Sequence, residues 1–106
     1  MKLQKIGLSV AVLVAMGVSS VALASDGEAL AKKHNCLACH SVDTKVVGPA
    51  YKEVAQKYKG DAGAPARLAE KIKKGGKGVW GSAPMPPNKK VSDDDLKTLV
   101  HWVLSQ

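Results

Sequence analysis

Cys36-Leu37-Ala38-Cys39-His40 constrains this chain more than any other stretch. Two cysteines separated by two residues, with a histidine directly after the second, form the attachment pattern of a c-type haem. Each thiol adds across one vinyl group, so the sulfurs must reach neighbouring edges of the macrocycle. A two-residue gap on a helical turn brings both to one side. His40 then lies beneath the iron and can donate an imidazole nitrogen to it. The chain holds two cysteines in all, so no disulfide framework competes for them. In an oxidising compartment two lone cysteines would tend to pair, and attachment gives each a thioether instead.

The N-terminus points to such a compartment. Lys2 and Lys5 form a positive start, Ile6 to Val18 is an apolar run, and Ala22-Leu23-Ala24 is an A-x-A cleavage signal. Residues 1–24 therefore read as a cleaved secretory signal, with one domain at 25–106 and a periplasmic location. An uncleaved membrane anchor is the alternative, but the run is short and ends in small residues. No other stretch could span a bilayer, so no stable membrane insertion is expected after cleavage.

The chain of 106 residues carries 16 basic and 9 acidic side chains, a net +7. Removing the two leader lysines leaves 14 against 9, a net +5. Nucleic acid, a membrane surface or an acidic protein would each suit such a charge. Export excludes nucleic acid and favours redox partners with acidic docking surfaces. Most individual lysines serve solubility. A mature domain of about 82 residues without phenylalanine makes a thin core, and chains of this size usually need a staple. A covalently held haem would give the helices a large apolar slab to close around.

Helical periodicity recurs four times. A helix is predicted over 26–35, capped by Ser25 or Asp26, with Leu30, His34 and Leu37 on one side. Pro49 can open a second helix with the stripe Ala50, Tyr51, Val54, Ala55 and Tyr58. Lys52, Glu53, Lys57 and Lys59 take its other face, and Gly60 ends it. Pro65 can start a third, with Leu68, Ala69 and Ile72 inward and Lys71, Lys73 and Lys74 at its C-terminal end. Gly75-Gly76 stops it. Ser92 with Asp93, Asp94 and Asp95 opens a fourth. Its stripe is Leu96, Leu99, Val100, Val103 and Leu104, packed on the first helix and flanked by Trp102. His34 and His101 read as surface or boundary residues. No strand pattern, repeat or low-complexity segment is evident.

The segment from Lys77 to Val91 holds Gly78, Gly81, Pro84, Pro86 and Pro87 and cannot be regular helix. Irregular segments of this length in a small domain are usually functional. After leader removal it holds the one remaining methionine, Met85, walled by prolines. That is a poor place for a flexible core filler and a good one for a held iron ligand. Histidine with methionine favours ferrous iron and fills both axial positions, which suits a carrier rather than an enzyme.

The stretches Cys36–His40, Thr44-Lys-Val-Val-Gly-Pro49-Ala-Tyr51, Gly78-Val-Trp80-Gly81 and Pro84-Met-Pro-Pro-Asn88 together resemble small bacterial class I cytochromes c of the cytochrome c-551 type, also called cytochrome c8. The resemblance spans 25–106. It implies an all-α fold of about four helices around one covalent haem c, bound through Cys36 and Cys39 with His40 and Met85 as axial ligands. It also implies that the Pro49 carbonyl accepts a hydrogen bond from the ligating imidazole, a contact that fixes the ring. Trp80 would meet a haem propionate, Lys71 would lie near the propionates, and Asn88 would hydrogen-bond around the methionine sulfur. Phenylalanines that pack near the haem in some relatives are missing, so Tyr58 and small aliphatics must fill that space.

The function so implied is a periplasmic one-electron carrier, monomeric and not an enzyme. It would take electrons from a quinol-oxidising complex and deliver them to a haem nitrite reductase, oxidase or peroxidase, in respiration including denitrification. A peroxidase or gas binder would need an open sixth site. A thioredoxin-like Cys-x-x-Cys would need a preceding strand. A structural zinc site would need a fourth ligand beside Cys36, Cys39 and His101.

Overall fold

The computed structural model describes residue 7, residues 9–12 and residues 21–106, with side chains in the first helix from Asp26 onward. Four helices follow in order: α1 (Val21–Lys33), α2 (Tyr51–Lys57), α3 (Ala64–Lys74) and α4 (Asp93–Leu104). A single 3₁₀ turn, Cys36–Ala38, stands between α1 and α2. Among the described residues there is no strand, and two isolated backbone bridges join His40 to Lys45 and Gly76 to Met85.

α4 is the element on which the others pack, touching α1, α2 and α3. Its start follows the expected chemistry: the Ser92 hydroxyl accepts from the Asp95 N–H at 3.2 Å, and three aspartates occupy the positive first turn. Leu96, Leu99, Val100 and Val103 are buried as the spacing requires, while Leu104 is half-buried.

Trp102 differs from expectation. It does not flank the stripe but is a core residue, 5 % exposed. Its ring meets Tyr51 edge-on at 5.2 Å and 72°. The space for it is made by Gly27, where a Cβ would overlap the Trp102 side chain. α1 and α4 therefore cross in close contact, with Gly27 and the buried Ala31 as the small residues of α1.

The first helix also has different ends. It starts at Val21 rather than at a cap on Ser25 or Asp26, because the apolar residues before them continue the helical run. It ends at Lys33, and Asn35 takes a left-handed conformation at φ 58°. That residue resets the register. Leu30 stays against the core, whereas Leu37 turns outward and is 36 % exposed. His34 is half-buried, with its Nε2 shielded from solvent.

α2 begins at Tyr51, two residues after Pro49. Ala50 is the N-cap, and its N–H donates to the Glu53 carboxylate at 3.3 Å. Tyr51 and Val54 are buried, while Ala55 and Tyr58 are half-buried. α3 carries Pro65 in its first turn. Its apolar residues Leu68, Ala69 and Ile72 pack on the core from the side. The predicted leader lies mostly outside the described residues. Among those described, no helix is long and apolar enough to cross a membrane.

Candidate haem site

Cys36, Cys39 and His40 come together with α3, the end of α2, the 76–86 segment and α4 around an apolar cavity of about 330 Å³. Its carbon walls come from Val54, Leu68, Ile72, Leu99, Val100 and Val103. The 3₁₀ turn places both thiols on it: Cys39 N–H bonds the Cys36 carbonyl at 3.2 Å, and His40 N–H bonds the same oxygen at 3.0 Å. Both cysteines are half-buried, and no disulfide joins them. Burial pushes the Cys36 thiol up, so it stays neutral at neutral pH. Burial also raises the Tyr51 hydroxyl, with the neighbouring Cys36 adding to the effect.

The His40 ring is held from three sides. Its Nδ1 lies 2.8 Å from the Pro49 carbonyl oxygen. A carbonyl can only accept, so Nδ1 carries the hydrogen and Nε2 is the free lone pair. Tyr51 stacks on the ring at 5.1 Å and 20°. Gly48 presses on it so closely that a Cβ would come within 2.8 Å of Nδ1. Gly48 is fixed in turn by its N–H to the Cys39 carbonyl at 2.8 Å. Sequence reasoning took Gly48 only as loop punctuation.

Met85 lines the same cavity, at the base of the glycine- and proline-rich segment. Gly76 and Met85 exchange both backbone hydrogen bonds, at 3.0 and 2.8 Å. Gly75 and Gly76 thus do more than stop α3. They form the seat on which the methionine segment rests.

The remaining expected residues are also placed. Lys71 and Trp80 line the same cavity. The Lys71 ammonium fills the space where a Gly76 Cβ would stand, 2.5 Å from that position. Arg67, one turn before Lys71, also lines the cavity and is ion-paired with Asp61. Its position on α3 was not singled out in the sequence, although the i, i+4 spacing to Lys71 was the available signal. The Asn88 amide donates to the carbonyls of Ile72 at 3.2 Å and Pro86 at 3.1 Å. It ties the methionine segment to α3. A contact with the Met85 sulfur is absent among the hydrogen bonds of the described residues.

The donor set suits a haem: two thiols on one turn, an imidazole with Nδ1 engaged and Nε2 free, a thioether, and basic groups in an otherwise apolar wall. Among the described residues no three His, Cys, Asp or Glu side chains gather as a metal cage, so Cys36, Cys39 and His101 do not form the zinc site weighed above.

Residues 24–106 match the cytochrome c family. The chain belongs to that family. Cytochrome c-551 of Pseudomonas aeruginosa is 57% identical over 99 residues, 93% of this chain and 90% of the relative. Cytochrome c-552 of Nitrosomonas europaea is 59% identical over 76 residues, 72% of this chain and 74% of the relative. The crystal structure of wild-type Nitrosomonas europaea cytochrome c552 superposes with a TM-score of 0.71 at 58% identity, covering 74% of this chain and 96% of that one. A class 1 cytochrome from Sideroxydans lithotrophicus, MtoD, gives 0.65 at 36% identity, over 76% and 92% of the two chains. This cytochrome is therefore a small all-α electron carrier and not an enzyme. Membership implies a covalent haem c on the chain's two cysteines, Cys36 and Cys39.

Proposed function

We propose that this cytochrome is an exported, periplasmic one-electron carrier with His40 and Met85 as axial ligands. It works in a respiratory chain, including denitrification, between a quinol-oxidising complex and a haem nitrite reductase, oxidase or peroxidase. The observation that carries the reading is the 2.8 Å contact from His40 Nδ1 to the Pro49 carbonyl. It leaves Nε2 as the ring nitrogen able to meet an iron, in a cavity that Met85 also lines. Bound haem supplies a one-electron iron couple, and an imidazole–thioether pair raises its potential.

The chain's own residues then have distinct tasks. Pro49 and Gly48 hold the imidazole in one orientation, so little moves when an electron arrives. Gly76 and Asn88 hold the Met85 segment against α3. Trp80 would donate its indole N–H to a carboxylate of the bound haem, and Lys71 would offset carboxylate charge; both line the cavity. The apolar walls from α3 and α4 exclude water. The basic surface steers the protein to acidic partners and keeps the complexes short-lived. A leader over residues 1–24 is supported by the family match beginning at residue 24.

The visible spectrum of the purified protein tests the ligation. A weak far-red sulfur-to-iron band in the ferric form, lost on reduction, is expected. A high-spin spectrum, or one that changes on adding carbon monoxide, would replace this reading with an open-site enzyme or sensor.

A further inference from the structure

Lys57 closes α2 on the face that sequence periodicity assigns to solvent. Its ammonium nonetheless lies 5.4 Å from the centre of the Trp80 ring and 5.9 Å from that of Tyr58. Both rings are walls of the haem cavity. Among the described residues Lys57 makes no ion pair with a carboxylate. An ammonium placed over aromatic faces at this range is held by the ring quadrupoles.

The loop that carries Trp80 has few other ties. Its base is the Gly76–Met85 pair, and inside it one hydrogen bond runs from Gly78 N–H to the Gly81 carbonyl at 2.9 Å. Gly78 and Gly81 stand at φ 105° and 119°, so the tip is built on glycine conformations. Among the described residues no further backbone hydrogen bond joins 77–84 to the rest of the fold. Trp80 is 38 % exposed and shares with Lys57 an outer groove of about 440 Å³.

We propose that Lys57 is a positioning residue: its ammonium clamps the Trp80 loop to the end of α2 and stands as a fixed positive charge behind two aromatic walls of the haem cavity. The clamp keeps Trp80 turned to the cofactor's edge. The charge favours the reduced state, in which the centre carries one positive charge fewer. This rests on the cavity being the haem site.

The test uses the haem-loaded protein as wild type, Lys57→Met, Lys57→Arg and Lys59→Met. Lys59 is also exposed, so its loss removes the same charge two residues away. Hydrogen exchange of the Trp80 indole N–H is followed by NMR, with the buried Trp102 indole as internal reference. The reduced-to-oxidised ratio is read in parallel against a redox dye at one fixed ambient potential. Lys57→Met should speed Trp80 exchange about threefold to tenfold and lower the ratio about twofold or more. Lys57→Arg should restore both, because a guanidinium also sits on aromatic faces. Lys59→Met should leave the exchange unchanged. Unchanged exchange in Lys57→Met, or equal acceleration in Lys59→Met, would overturn the clamp. The far-red band recorded on the wild type reports separately on Met85: its absence sinks that ligation, while the clamp stands or falls on the exchange ratios.

Discussion

Gly75 lies against Met85 so closely that a Cβ on it would overlap the Met85 carbonyl oxygen and reach the Pro86–Pro87 backbone. The contact is backbone on backbone, so no side chain can swing away to relieve it. Gly75 also stands at φ 70°, where other residues are strained. Replacing it with alanine should cost about 1–3 kcal/mol from the backbone conformation alone, with the clash in addition. We expect Gly75→Ala to lower the urea midpoint and to weaken the far-red ferric band together. A variant that loses stability with an unchanged band would separate the seat from the ligand.

Met85 itself can be tested by access. If its thioether fills the sixth position, an external ligand must wait for it to leave. Met85→Ala should bind cyanide in the ferric form at least about tenfold faster, equivalent to removing ~1.4 kcal/mol of competition. Equal rates in stopped-flow mixing would show that Met85 is not the ligand.

Trp102 is the largest residue of the core, braced by Gly27 on one side and Tyr51 on the other. Truncation leaves a cavity at the α1–α4 crossing, for which about 3–5 kcal/mol is usual. Small domains hold only ~5–15 kcal/mol in total. Trp102→Ala should therefore unfold at a much lower urea concentration. A shift as small as that of a surface variant would deny it a core role.

Glu70 and Lys74 are paired at 2.5 Å on the outside of α3. The Lys74 hydrogen bond, and then its charge, hold the Glu70 carboxyl below its ordinary value. A depressed acid contributes stability above the ordinary carboxylate range and loses it as pH falls through the lowered value. The pair is exposed, so the effect is small. Lys74→Ala should be slightly less stable than wild type at pH 7 and equal to it once Glu70 is protonated. A gap that widens on acidification would contradict the assignment.

Docking by charge predicts a salt dependence. Screening shortens to about 8 Å at physiological ionic strength. The second-order rate of electron transfer to an acidic redox partner should fall steadily as salt rises. A flat profile in stopped-flow kinetics would remove electrostatic steering from the account.

Much of this molecule is legible in one dimension. Cys36, Cys39 and His40 sit within five residues, so their chemistry is a matter of local spacing. The apolar period of 51–58 and 96–103 and the cap at Ser92 are likewise local, and they recur in the fold. Met85 stands out because the prolines around it forbid helix. Other features depend on residues far apart in the chain. Gly27 is one glycine among ten until α4 brings Trp102 against it. Asn35 is a polar residue at a helix end until its left-handed turn sends Leu37 outward. Lys57 belongs by period to the solvated face, yet the 77–84 loop folds back and lays the Trp80 ring under its charge, beside that of its chain neighbour Tyr58. The physical reason is the same in each case. Periodicity and motif spacing record what a residue does to its own neighbours, within a turn or two. Close approach, ring contacts and the walls of a cavity are set by which distant segment arrives, and only the packed fold decides that.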